Sequence, residues 1–303
     1  MALSMRYANI GMVSFIDLLG YSARVEAVET ESDLKAIEKD VRRVQKWFDH
    51  RPKDDGIREV QKLQAKKVLA FSDCLVITVP SSSELAASEG DFDIQLGEMV
   101  TLAYAQGMCA ANGIFIRGGI DYGLWYKRRD TIISPAMIGA YKLEQTAVVP
   151  MLAISDDLIL HFQDHPHRKF YYEKPDPVDR YFKQFDLPDG RRQWMLDYLP
   201  LILGEIDGHL TPEERERYQL EDTSGKQSLR DRAWLRAISE TASLHKDQIL
   251  AAHARAVTDN IRLKYEWLAR YHDDSLELFM GSPDPELLIG NLLAVTASSR
   301  PRN

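Results

Sequence analysis

Cysteine is nearly missing from this 303-residue chain: Cys74 and Cys109 are the only two, and both sit in apolar surroundings. Two such residues build no disulfide framework, so a reducing cytoplasm is the compartment expected. No apolar run approaches the ~20 residues needed to cross a bilayer, and Met1 to Ala8 lacks the apolar core of a secretory signal. Positive charge is in deficit: 38 Lys and Arg against 46 Asp and Glu give a net charge of −8. That balance disfavours a nonspecific role on nucleic acid or at a membrane surface, while leaving room for one polyanion held by a metal or a local cationic cluster. Walker-type phosphate loops, the dinucleotide Gly fingerprint, a G-x-S-x-G elbow and Cys pairs at zinc spacing are all absent, as are repeats and low-complexity segments. What remains is ordinary globular material, 45% hydrophobic and 28% charged, long enough for one large domain or two smaller ones.

Patterning predicts a strand at Gly11 to Ile16 and a helix over Ser32 to Phe48, with Leu34, Ile37, Val41, Val44 and Phe48 on one face. A polar loop follows at 49–57. Two strands, Lys67 to Phe71 and Leu75 to Val79, flank a tight turn at Ser72-Asp73-Cys74, and a second polar loop covers Ser81 to Asp91. Then come a helix over Ile94 to Ala111 stopped by Gly113, a strand over Ile114 to Ile120, a helix from Pro135 to about Thr146, and a last strand over Val148 to Ile154. This order predicts an α+β fold of βαββαβ (ferredoxin-like) type with helices on one sheet face. Beyond Ser155 the chain reads as a connection over 161–190. Mostly helical material follows: Trp194 to Gly204, Pro212 to Leu220, and one long helix from about Leu229 to Tyr271 whose stripe runs through Val257, Ile261, Tyr265 and Leu268. The division expected is a domain at 8–155, a helical region at 156–294 and a tail at 295–303.

Two aspartates stand at the edges of apolar runs, Asp17 in Phe15-Ile16-Asp17-Leu18-Leu19-Gly20-Tyr21 and Asp73 in Phe71-Ser72-Asp73-Cys74-Leu75. A carboxylate among such neighbours needs a cation or strong hydrogen bonds, so divalent metal binding is one reading and a turn or N-cap role is the other. In Ile116-Arg117-Gly118-Gly119-Ile120-Asp121-Tyr122-Gly123 the paired glycines mark a close backbone approach or a bulge. Arg117 beside them suits a phosphate or a structural carboxylate. Tyr141 and Lys142 offer a second phosphate contact. His161, His165 and His167 are interrupted by Pro166 and read as solvated loop residues without a preformed metal site.

Taken together, these segments resemble the class III nucleotidyl cyclases. Phe15 to Tyr21 is similar to that family's first metal-aspartate motif, and Phe71-Ser72-Asp73 to its second, where Gly-Asp closes a hairpin. Arg117 to Gly123 resembles its Arg-x-Gly-Ile-x-x-Gly strand, and Ser134-Pro-Ala-Met-Ile-Gly-Ala-Tyr-Lys-Leu-Glu144 its Gly-Pro-x-Val-Asn-x-Ala-x-Arg-Leu-Glu helix. The resemblance spans about residues 8 to 155. Its departures matter as much: the two base-reading positions of purine cyclases fall on Leu69 and Ala136, and the Asn and Arg of the last helix fall on Ile138 and Lys142. Purine edges left unpaired there cost about 1–3 kcal/mol each. The pattern is most similar to the pyrimidine cyclases of bacterial anti-phage (Pycsar) systems.

The resemblance implies a cyclase that converts UTP, ahead of CTP, into its 3′,5′-cyclic nucleotide and pyrophosphate, as a second messenger for antiviral defence. It implies two divalent ions, Mn2+ or Mg2+, on Asp17, Asp73 and the backbone of Ile16. Ile16, Leu18, Leu19 and Gly20 would contact the phosphates, and Leu69 and Ala136 the base. Arg117 would hold the β- and γ-phosphates, with Lys142 in place of the missing arginine. A homodimer with active sites at its interface is implied, with no nucleic-acid, membrane or direct effector contact. The alternatives are a purine (adenylate or guanylate) cyclase, a noncatalytic nucleotide sensor on the same fold, and a scaffold whose aspartates are turn residues.

Overall fold

The computed structural model describes residues 8–49, 55–128, 131–171 and 176–290. The tail expected at 295–303 and residues 50–54 of the first polar loop lie outside the described residues. The chain divides into two compact units, Met1–Cys109 with Ile114–Tyr198, and Ala110–Gly113 with Leu199–Asn303.

The first unit starts with strand β1 (Ala8–Leu18), whose apolar residues carry it two positions past the run that announced it. Helix α1 (Tyr21–Glu26) follows Gly20, whose φ of +80° favours glycine. Helix α2 (Glu31–Phe48) opens on a reciprocal cap in which the Asp33 amide donates to Thr30 Oγ1 and the Thr30 amide to the Asp33 carboxylate. A helix absent from the sequence pattern, α3 (Asp55–Gln64), precedes the hairpin of β2 (Lys67–Phe71) and β3 (Cys74–Pro80). The loop expected at Ser81 to Asp91 contains helix α4 (Glu84–Glu89), capped by Ser83, which buries only Ala86 and so leaves no periodic signal. Helix α5 (Asp91–Ala111) ends before Gly113 at φ +69°.

Strand β4 (Ile116–Arg128) is much longer than the stretch expected at Ile114 to Ile120, because it pairs with β1 from Ala8↔Tyr126 to Leu18↔Ile116. Its outer half is interrupted by Asp121 and Gly123 and ends on Lys127-Arg128, so it forms no long apolar run. Strand β5 (Thr131–Ile133) turns back on it, and helix α6 (Pro135–Thr146) begins where Ser134 accepts the Met137 amide hydrogen. After β6 (Leu152–Ile154) come α7 (Asp156–Gln163), a 3-10 turn at Pro166–Tyr171, α8 (Pro177–Tyr181), β7 (Phe182–Asp186) and β8 (Arg192–Leu196). The region read as connection therefore contributes one strand, β7, to the sheet, and β8 lies just past it, so Trp194 is in a strand instead of a helix. Only Phe182 of β7 is buried, and its polar residues leave no apolar run to betray it.

The sheet runs β2-β3-β1-β4-β6-β8-β7, with β5 paired to β4. Its first four strands in chain order, with α2 and α5 as crossovers, make the expected βαββαβ plan of an α+β fold. Val13, Phe15, Val76, Trp125, Ala136 and Ala140 form one buried cluster on the face under α6. Met12, Ser14 and Ile16, on the other face of β1, are also buried, so the strand is covered on both sides.

The second unit is helical, as expected. Helix α9 (Tyr198–Gly204) leads into it, followed by α10 (Pro212–Leu220), α11 (Thr223–Arg255) and α12 (Asp259–Met280). The single long helix expected to about Tyr271 is two helices. Thr258 caps α12 by accepting the Ile261 amide, and Val257 in the break is 82% exposed instead of continuing a stripe. His245 and His272 are buried where α11 meets α12, their Nδ1 atoms 2.8 Å apart. His272 Nε2 donates to the Leu287 carbonyl at 2.9 Å, so its Nδ1 accepts from His245 Nδ1–H. Burial pushes both imidazoles below the usual histidine range, with each ring's neighbours adding smaller contributions. Unfolded histidines take up protons near pH 6.5 while these two do not, so their stabilisation is present above that pH and is lost as pH falls below it. Thermal melts should show the helical unit losing stability between pH 7 and 5, with a shallower loss in His245→Gln; equal slopes would contradict a neutral pair.

Candidate active site

Asp17 stands in the middle of the sheet, opposite Cys74 of β3 on one side and Arg117 of β4 on the other. Residues paired across an antiparallel ladder project from the same face, so these three side chains converge. Asp73 joins them from the two-residue turn between Phe71 and Cys74, where Ser72 takes a φ of +56°. That conformation costs a non-glycine residue on the order of 1 kcal/mol and fixes the direction in which Asp73 leaves the hairpin. Ligand atoms of Asp17, Asp73 and Cys74 all lie within 4.8 Å of one another.

Helix α6 lies over this face because Gly119 allows it. A Cβ on Gly119 would sit 2.0 Å from the Ala140 carbonyl oxygen, so the paired glycines do mark a close backbone approach. Ala136, Ala140 and Glu144 recur every four residues along the buried side of α6, which brings the Glu144 carboxylate down at 1% exposure. Arg117 meets it: Nε lies 2.6 Å from Glu144 Oε1, while Nε and Nη2 each donate to Asp17 Oδ2 at 3.3 Å. Arg117 thus bridges two carboxylates, one from the sheet and one from α6.

The cluster is short of positive charge, with three carboxylates facing one guanidinium among the described residues. Asp17 registers the deficit. Burial raises its carboxyl to about 6, Arg117 opposes this, and Asp73 and Glu144 add to it. Cys74 Sγ lies 3.8 Å from Asp17 Oδ1 and 3.9 Å from Asp73 Oδ1, and burial with the same carboxylates pushes its thiol up to about 12. Oxygen donors in carboxylate form suit hard divalent cations such as Mg2+ and Mn2+, and the charge deficit suits one too.

Several expected site residues lie elsewhere. Ala136 is 2% exposed inside the core cluster, so it offers no surface to a base in this chain. Leu69 is half-buried in β2 against the same cluster. The side chains of Ile16 and Leu18 are buried, leaving the Ile16 carbonyl as its one conceivable ligand, and the Leu19 amide is spent on the Phe115 carbonyl at 2.9 Å. Gly20 is exposed. Lys142 sits with Ile138 and Tyr141 on the exposed side of α6. Sequence reasoning overlooked Cys74 and Glu144 as site residues. Glu144 was legible as a carboxylate in phase with Ala136 and Ala140; Cys74 was visible only as the residue after Asp73. A groove of about 780 Å³ borders the hairpin at Ser72 and α1 at Tyr21, and continues along α2 past Leu34 and Arg42.

Removing one partner of a buried ion pair strands the other, so Arg117→Met should cost about 3 kcal/mol or more of stability. Adding Glu144→Gln should recover a large part of that loss in urea unfolding. Simple additivity of the two effects would show that the pair is not coupled.

No family model matches the chain, and no curated protein sequence matches it. Among solved structures it is similar to the adenylyl cyclase CyaB from P. aeruginosa, at 15% identity and a TM-score of 0.37, over 62% of this chain and 94% of that one. It is also similar to the guanylyl cyclase domain of the RhoGC fusion protein from the aquatic fungus Blastocladiella emersonii, at 14% identity and a TM-score of 0.41, over 63% and 95%. A third likeness, to a class III adenylyl cyclase-like ATP-binding protein from Pseudomonas aeruginosa, covers 90% of this chain and 60% of that one at 11% identity and a TM-score of 0.36. Likenesses of this size assign no family, activity or substrate.

Proposed function

We propose that the chain is a nucleotidyl cyclase of the class III type that converts a pyrimidine nucleoside triphosphate, UTP ahead of CTP, into its 3′,5′-cyclic monophosphate. The supporting observation is the convergence of Asp17 and Asp73, from two separate segments, on one patch with more carboxylates than cations. Asp17, Asp73 and the Ile16 carbonyl would hold two divalent ions, Mn2+ or Mg2+. Such ions supply charge neutralisation for the triphosphate and a lowered pKa for the attacking hydroxyl. The catalytic part is proposed to be residues 8–155, which contain every residue named here.

In the reaction the ribose 3′-oxygen forms a bond to the α-phosphorus, the bond from that phosphorus to the bridging oxygen breaks, and pyrophosphate leaves with the electron pair. The 3′-hydroxyl proton passes to solvent. Little covalent work falls to the protein, so positioning and charge placement carry the catalysis. Arg117 acts as a positioning residue that fixes Asp17. Lys142 and Ile138, on the exposed side of α6, are available to a second copy of the chain, which suits a homodimer whose sites are completed across the interface. Leu69, half-buried on β2, offers no polar partner to a purine edge, which favours a pyrimidine. The cyclic product would then serve as a second messenger in antiviral defence.

The exposed Lys142 and the commitment of Arg117 to Asp17 and Glu144 also favour a second reading, a nucleotide sensor that binds without cyclising. One assay separates these. Purified chain incubated with each of the four triphosphates and Mn2+ should release pyrophosphate and a cyclic pyrimidine nucleotide, and Asp73→Asn should reduce that at least 100-fold while keeping the wild-type melt. Cyclic AMP or cyclic GMP as the sole product would overturn the pyrimidine assignment. Triphosphate-dependent stabilisation without pyrophosphate would favour the sensor.

A further inference from the structure

The three histidines near the end of α7 are not the solvated loop residues that the sequence suggested. His161 lies inside α7, half-buried, and His165 follows one turn later, just past the end of the helix. Asp91, the first residue of α5, comes up against them, with His165 Nε2 3.1 Å from Asp91 Oδ1. Ligand atoms of Asp91, His161 and His165 all lie within 4.8 Å of one another. His161 Nε2 is buried and has no hydrogen-bond partner. Its ring is held in place by stacking on Tyr122, with centroids 4.0 Å apart, and Tyr122 is itself fixed by a 3.1 Å hydrogen bond to Ser81. An oriented imidazole with an idle buried nitrogen beside a histidine–carboxylate pair is a costly arrangement unless something accepts its lone pair.

We propose that Asp91, His161 and His165 form a binding site for a divalent transition-metal ion of the Zn2+ class, separate from the Asp17–Asp73 cluster. Two imidazoles and one carboxylate are the donor set such ions favour, and water would complete the coordination. His161 and His165 are four residues apart, which places them on one side of the helix end. The C-terminal end of α7 and the N-terminal end of α5 meet here, so the helix dipoles favour the imidazole–cation side and the Asp91 carboxylate respectively. His165 must change tautomer to bind through Nε2: its proton moves to Nδ1, and the 3.2 Å contact that Nδ1 accepts from the His167 amide is given up. The bound ion would clamp the start of α5 to the end of α7.

Co2+ is the probe, because its visible absorption reports nitrogen-containing low-coordinate sites. The full chain, freed of metal by chelation, should bind one equivalent with a visible band that persists in Asp73→Asn. His161→Gln and Asp91→Asn should each weaken that binding by about tenfold or more, and Zn2+ should raise the melting temperature of Asp73→Asn but not of Asp73→Asn combined with either of these changes. Asp91 is only partly buried, so Asp91→Asn serves as the folded variant if His161→Gln fails to fold. The absence of a band in the wild type, or its survival in a folded Asp91→Asn, would overturn the proposal.

Discussion

The contact on which the candidate active site depends is the Arg117 guanidinium, held between Asp17 on the sheet and the buried Glu144 on α6. It follows from backbone geometry. Gly119 and the alanines at 136 and 140 let α6 settle onto the sheet, and that approach takes a glutamate out of water. A carboxylate in such a place needs a cation, and Arg117 is the one its register supplies. Burial holds the Asp17 carboxyl up to about 6; Arg117, shared with Glu144, opposes this only in part, and Asp73 and Glu144 add to it. A proton and the proposed metal ion would therefore compete for the same oxygens, with the proton gaining as pH falls below about 6.

Much of this frame was legible beforehand. The apolar run before Asp17, the tight turn at Ser72-Asp73 and the Pro135 helix are local signals, and each appeared within three residues of its expected place. The pairing of the two aspartates was inferred from their matching contexts, and the sheet register brings them together. Arg117's direction was not legible, because it depends on how closely α6 approaches, a tertiary fact that only Gly119 hinted at. Strand β7, at the sheet edge, and β8 beside it were hidden for another reason: strands with few buried positions carry no continuous apolar run. The break between α11 and α12 was missed because it uses a threonine cap instead of proline or glycine.

The histidine cluster shows the same limit. Pro166 and the neighbouring polar residues read as a loop, and they say nothing of a carboxylate 74 residues earlier in the chain than His165. Spacing motifs find ligands that lie together in sequence; a site assembled from the start of one helix and the end of another is found only in three dimensions. Each of the two clusters joins segments distant in the chain, and each has more ligating atoms than internal partners for them.

The central claim is that Asp17 and Asp73 are there to hold divalent cations that Arg117 alone cannot replace. Anomalous diffraction from crystals soaked in Mn2+ with a nonhydrolysable pyrimidine triphosphate tests it most directly. Manganese peaks within bonding distance of both carboxylates are the result expected. Density for the triphosphate with no manganese at either aspartate would contradict it.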